Sequence, residues 1–259
     1  MNAIYKMIVL SLLLLVNTTN ASEPQTQLIV HVPSLSLNLT YPSPVRLSQV
    51  LSDVETNIQS KGSFSIFWLA AQLLEQKNNE KITKLKNELI AQLTHLSQAK
   101  PKTKIKADLL IKFIQTNDFN YRHFINLDND LVRIQNQFNP LLKGHFILET
   151  PVRSNQIRIV GGKEIKQREE LIAHRSIADY LKTIPLPITS QTSFVYIIQP
   201  DGVVNKASNN YWNNITTFFA PGATLFIGFD KLPAEFASLN QKIANLLRYL
   251  PPLTVSGTI

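Results

Sequence analysis

Few residues in this sequence have types and spacings that could do chemistry, and most lie between positions 120 and 135. Arg122 sits in a stretch where Phe119, Tyr121, His123 and Ile125 alternate with it. An arginine inside a half-buried strand needs a carboxylate or carbonyl partner, because an unpaired charge is costly to bury. On an edge strand it would point at water instead, and the residue types leave both readings open. Six residues on, Asp128-Asn129-Asp130 places two carboxylates at i and i+2, and Arg133 follows. Glycosidic acid/base chemistry needs two carboxylates about 5–9.5 Å apart across a cleft, and two aspartates of one turn meet that only by chance. The triplet also lacks the glycine and distal glutamate of a calcium loop. Turn-forming Asx residues are the simpler reading.

Other chemical patterns are missing. His31, His95, His123, His145 and His174 form no HxH or HExxH pattern, and no Gly-x-Ser-x-Gly elbow occurs. Gly161-Gly162-Lys163 lacks the spacing and the Ser/Thr of a phosphate loop. With no cysteine, disulfides, thiol catalysis, Cys-ligated zinc and iron–sulfur clusters are excluded. No cofactor and no metal site is expected. Glu169-Glu170 reads as a solvated loop or the first turn of a helix.

The elements that must position these residues belong to a globular chain. Of 259 residues, 44% are hydrophobic and only 17% charged, which excludes general disorder. The net charge of +8 suits an anionic partner. Lys6, the apolar run Met7 to Val16 and the small residues of Thr19-Asn20-Ala21 read as a cleavable signal peptide over 1–21. The run is too short for the roughly 20 residues of a membrane span. Export without cysteine predicts a periplasmic protein and leaves nucleic acid no opportunity as a partner.

Leu28, Val30 and Val32, then Leu35, Leu37 and Leu39, alternate around Pro33-Ser34 and predict a hairpin. Pro44 then opens a short helix with Val45, Leu47, Val50, Leu51 and Val54 inward. From Phe64 to about Gln115 only helical periodicity is visible. Its first stripe is Phe67, Trp68, Ala71 and Leu74. Its second runs Ile82, Leu85, Leu89, Leu93 and Leu96, and its third Ile105, Leu109, Leu110, Phe113 and Ile114. Lysines, Lys77 to Lys106 among them, fill the exposed faces. Strand alternation returns at Phe119 and again at Leu131, Arg133 and Gln135.

Residues 144–230 read strand, strand, helix, then three strands, with a sharp turn at Pro200-Asp201-Gly202. That order is what a β-grasp needs. Phe236, Leu239, Ile243, Leu246, Leu247 and Leu250 line one face of a last helix, with Lys242, Asn245 and Arg248 off that stripe. The expected fold class is α+β. Two β-grasp domains would occupy 22–63 plus 118–143 and 144–235. Residues 64–117 would be a helical insert, and 236–259 an amphipathic helix and tail.

Several stretches then fall in a recognisable order. Arg122 is followed by Leu127-Asp128-Asn129-Asp130, Val132-Arg133, Asn139-Pro140 and Gly144. Further on come Ile198-Gln199-Pro200-Asp201-Gly202, Tyr211-Trp212-Asn213, Pro221-Gly222-Ala223, Gly228-Phe229 and Leu239-Asn240. This ordered set resembles the capsule-biosynthesis GfcC-like family, with Tyr121 where the family pattern has glycine and a helical insert that matches in kind only. The resemblance implies a periplasmic protein of two β-grasp domains, similar to the SLBB-like periplasmic ring domains of outer-membrane polysaccharide exporters, with no established catalytic activity. It implies an arginine in a cleft, which carries over to Arg122. Asp128, Asp130 and Arg133, which stand in the same motif, join it as candidate ligand- or partner-binding residues.

The expected function is a non-enzymatic factor of capsule or exopolysaccharide assembly or export. It would bind an acidic glycan or an outer-membrane exporter, with residues 236–250 docking on a partner or the membrane interface. Two alternatives are a polysaccharide-modifying enzyme using Asp128 or Asp130, and a membrane-surface module led by the basic helices and the terminal helix.

Overall fold

Two five-stranded sheets, laid out in the same strand order, carry the architecture. The computed structural model describes residues 27–61, 65–164, 167–191, 193–208 and 218–253. The expected signal peptide and Tyr211-Trp212-Asn213 lie outside the described residues.

The first sheet starts with β1 (Leu28–Val32) and β2 (Leu37–Tyr41), an antiparallel pair in which Val30 faces Leu39. Leu28, Val30 and Val32 are fully buried, as strict alternation demands. A 3-10 turn over Pro33–Leu35 links the strands, and Ser36 takes a left-handed φ of 48° to close it. β3 (Val45–Arg46) precedes α1 (Leu47–Lys61). Leu47, Val50, Leu51 and Val54 form the buried stripe of α1, at the expected spacing. Val45 is a correction: it is a strand residue, paired with Leu142 of β6 (Leu141–Leu142).

A larger correction concerns Phe67 to Leu74. Trp68–Ala70 is a 3-10 turn, and Gln72–Leu74 is β4. This strand sits inside the sheet, between β5 (Arg122–His123) and β7 (Gly144–Glu149). All three of its residues are buried, so it lacks the period-two signature of a half-exposed strand. The strand order is β2-β1-β7-β4-β5, with β7 parallel to β1. β7 therefore belongs to the first sheet, not to the start of the second.

Between β4 and β5 the chain leaves the sheet as α2 (Asn79–Ala99) and α3 (Lys104–Thr116), a helical pair broken by the 3-10 turn Pro101–Thr103. Ile82, Leu89, Leu93 and Leu96 pack on Ala107, Leu110, Phe113 and Ile114. Ile105 is another correction, because it is 71% exposed. Its neighbour Lys106 turns inward instead. The alternation at Leu131 and Arg133 is helical, in α4 (Asn129–Ile134), because Asp128 caps the first turn.

The second sheet repeats the plan. β8 (Gln156–Val160) and β9 (Gln167–Glu170) are followed by α5 (Ile177–Thr183). β10 (Phe194–Ile198), β11 (Val204–Ser208) and β12 (Thr224–Phe226) complete the sheet. The order is β11-β10-β12-β8-β9, with β12 parallel to β8. In each sheet a first hairpin is followed by a helix, and the final strand slots in beside the first. Glu169 and Glu170 thus lie in an edge strand, not a loop or helix; their charge hid it. Ile172 lies outside α5 and is exposed.

The last helix, α6 (Leu239–Leu247), does not offer its apolar face to a membrane or partner as expected. Leu239, Ile243, Leu246 and Leu247 are buried in one cluster with α2, α3 and the second sheet. Asn240 fastens it, accepting from the amide of Phe229 at 2.8 Å and donating to its carbonyl at 2.9 Å.

Lys106 lies at the seam between the insert and the second sheet. It is 1% exposed. Its Nζ donates to the Gly228 carbonyl at 2.7 Å and to the Ser190 hydroxyl at 2.9 Å. Burial pushes its pKa down from 10.5 to about 7. The unfolded chain therefore holds this proton at pH values where the folded chain has released it. Stability rises with pH between these two values and stays lower below about 7. Relative to Lys106→Met, the wild type should gain up to about 1.4 kcal/mol per pH unit across that window in urea unfolding. A difference that stays flat with pH would show that Lys106 titrates like a solvated lysine.

Candidate functional site

β5 is only two residues long, yet it fixes the key side chain. Pairing of Arg122 with Leu74 turns the guanidinium inward, and Arg122 is 4% exposed. The neighbouring His123 faces outward enough to meet Glu75 at 2.9 Å. Of the two readings of Arg122, a strand residue aimed at water is excluded. Its partner is a carbonyl: Nη1 donates to Pro200 at 2.9 Å. The Nε is buried and finds no partner. No carboxylate lies within 4.0 Å of this guanidinium among the described residues.

Burial lowers the Arg122 pKa from 12.5 to about 10. Asp201 opposes that shift and Arg248 adds to it. The group therefore stays charged at neutral pH, held in a place where charge is unfavourable. Such a cation attracts an anion strongly, since the desolvation cost has already been met in folding.

The second sheet and the last helix complete the surroundings. The ring of Phe124 meets two guanidiniums, 5.2 Å from that of Arg122 and 3.8 Å from that of Arg248. Arg248 Nε donates to the Gly202 carbonyl at 2.7 Å. Gly202 has φ 90°, and a Cβ there would stand 2.5 Å from the Phe124 ring. Only glycine lets the Pro200-Asp201-Gly202 turn come this close. Asp201 steadies that turn by accepting from the Val203 amide at 2.9 Å.

The result is an open cleft of about 450 Å³ between the two sheets. Trp68, Phe124 and Leu131 give it apolar walls; Arg122, Arg248, Asp128 and Asp201 give it charge. Behind it, a void of about 20 Å³ is lined by Arg122, Arg158 and Arg248. That is room for about one water. Arg158 donates to the Pro251 carbonyl at 3.1 Å.

The structure brings together only part of the expected set. Arg122 and Asp128 both line the cleft, whereas Asp130 and Arg133 are exposed and do not. Asp128 is occupied as the cap of α4, accepting from the amides of Asp130 at 3.0 Å and Leu131 at 3.2 Å. Arg248, Phe124, Trp68 and Asp201 were not singled out from the sequence as site residues. Arg248 carried one usable signal, a charge off the apolar stripe at the end of the last helix.

Comparison with known proteins agrees with this layout. A family model described as capsule biosynthesis GfcC, N-terminal, matches residues 25–151, and one described as capsule biosynthesis GfcC C-terminal matches residues 166–251. A relative from Escherichia coli (strain K12), named uncharacterized protein YjbG, is 29% identical over 107 residues. That match covers 41% of this chain and 44% of the relative.

Two substitutions test the geometry. Gly202→Ala should cost on the order of 1–3 kcal/mol in chemical unfolding, through its positive φ and its clash with Phe124. An unchanged unfolding midpoint would show that the turn is not pressed against the ring. Asp128→Ala should lose about 1 kcal/mol of stability, and Asp128→Asn a few tenths, since asparagine also caps. Equal losses for both variants would point to a role for the charge itself.

Proposed function

The chain belongs to the capsule biosynthesis GfcC family, and on that premise we propose that it is a non-enzymatic periplasmic factor of capsule or exopolysaccharide assembly or export. Its cleft holds an acidic group of the glycan. The observation that carries this reading is the state of Arg122, which is buried, charged and satisfied by one carbonyl alone. A uronate carboxylate or similar anion in the cleft meets Arg122 and Arg248, neither of which has a carboxylate within 4.0 Å among the described residues, in charge-assisted contacts. The walls of Trp68 and Phe124 suit the apolar face of a sugar ring.

Two further observations support the reading. The strand order shared by the two sheets, with the final strand beside the first, supports a β-grasp reading of each half and with it a likeness to exporter ring domains. The cleft's carboxylates, Asp128 and Asp201, accept hydrogen bonds from backbone amides. That employment favours a structural role for them over acid/base work and so favours binding over glycan modification.

The test is complementation of a strain lacking the gene. Arg122→Ala and Arg122→Lys should accumulate like the wild type yet leave surface polymer well below the wild-type level. Lysine keeps the charge but not the planar fork, and losing such a contact weakens binding by roughly tenfold or more. Full restoration of surface polymer by Arg122→Ala would overturn the assignment.

A further inference from the structure

A row of aromatic rings and cations leads away from the cleft, across the surface where β5, α2 and the last helix meet. Phe124 stands at the cleft rim, 38% exposed. Its ring meets that of Tyr249 at 5.4 Å, and Tyr249 stacks on Tyr121 at 6.2 Å and 24°. Beyond Tyr121 comes the Lys81 ammonium, 5.2 Å above its ring. Tyr121 and Tyr249 are half-buried and Lys81 is exposed. Three separate parts of the chain supply this row: β5 with its flanks, the turn that follows the last helix and the insert.

None of its cations is in an ion pair among the described residues. Neither Arg122, Arg248 nor Lys81 has a carboxylate within 4.0 Å among the described residues. Glu75 is engaged by His123, and Asp201 faces Arg122 from the second sheet beyond ion-pair distance. The surface thus has a buried guanidinium at one end, an exposed ammonium at the other and aromatic rings between.

We infer that Phe124, Tyr249, Tyr121 and Lys81 extend the Arg122 cleft into a track for several consecutive units of an acidic polysaccharide. The inference rests on the proposed reading of Arg122 and goes beyond it, from one anionic group to a length of chain. Rings pack against the apolar faces of sugars, and the terminal cations meet carboxylates of successive uronate units. Repeated weak contacts on one ligand add as effective concentration, so affinity grows with chain length.

The test is calorimetric titration of the full protein with galacturonate and mannuronate, as monomers and as oligomers up to tetramers. Affinity of the wild type should rise about tenfold or more from monomer to tetramer. Lys81→Gln, at an exposed position, and Tyr249→Leu should each flatten that rise while keeping monomer binding. Arg122→Ala should lose both. Equal wild-type affinity for monomer and tetramer, with Arg122 still required, would overturn the track and leave the cleft reading intact. No binding of any uronate to the wild type would overturn both. A single-stranded oligonucleotide of matching charge that binds as tightly as the tetramer would replace the sugar assignment with a general polyanion surface.

Discussion

A guanidinium buried at the seam of two sheets, with a single carbonyl as its partner, is the constraint around which the rest of the molecule is arranged. Arg122 comes from the first sheet, its carbonyl from the second, and the ring it shares with Arg248 is reached from the last helix. Burying a charge this way is unfavourable by itself. It persists because everything around it is held by apolar packing that does not depend on it. Each sheet has its own buried cluster under its helix. A third cluster joins the helical insert and the last helix to the outer face of the second sheet.

That third cluster explains the role of the insert. α2 and α3 leave the first sheet between β4 and β5 and bury their apolar stripes against the second sheet and the last helix. They therefore tie the two halves together. The last helix contributes in two ways. Its apolar stripe completes the cluster, and its off-stripe Arg248 reaches the Gly202 carbonyl and the Phe124 ring. With that stripe buried, the helix has no free apolar face to lay on a membrane.

Much of this was legible in the sequence. Leu28 to Leu39, the stripe of α2, the Leu110, Phe113 and Ile114 part of the α3 stripe and the Pro200-Asp201-Gly202 turn all carry strong local signals, and the structure follows them. What was not legible shares one cause: side chains whose environment is set by distant contacts. Gln72–Leu74 is buried on both faces, so its pattern cannot be told from a helix. Glu169 and Glu170 pair at a sheet edge where charge is tolerated. Lys106 enters the core against its type because Gly228 and Ser190 supply acceptors from 84 or more residues away. The site divides the same way. Arg122 and Asp128 stand out by type and position, whereas Phe124, Arg248 and Trp68 become site residues only once the sheets meet.

The most direct measurement is the proton–nitrogen NMR signal of the Arg122 Nε in the wild-type protein, assigned by its disappearance in Arg122→Lys, during titration with a monomeric uronate. A saturable shift of that signal is expected, with the exposed Arg133 signal unmoved at the same concentrations. An Arg122 signal that stays in place throughout, or one that moves only in step with Arg133, would contradict an anion-binding cleft.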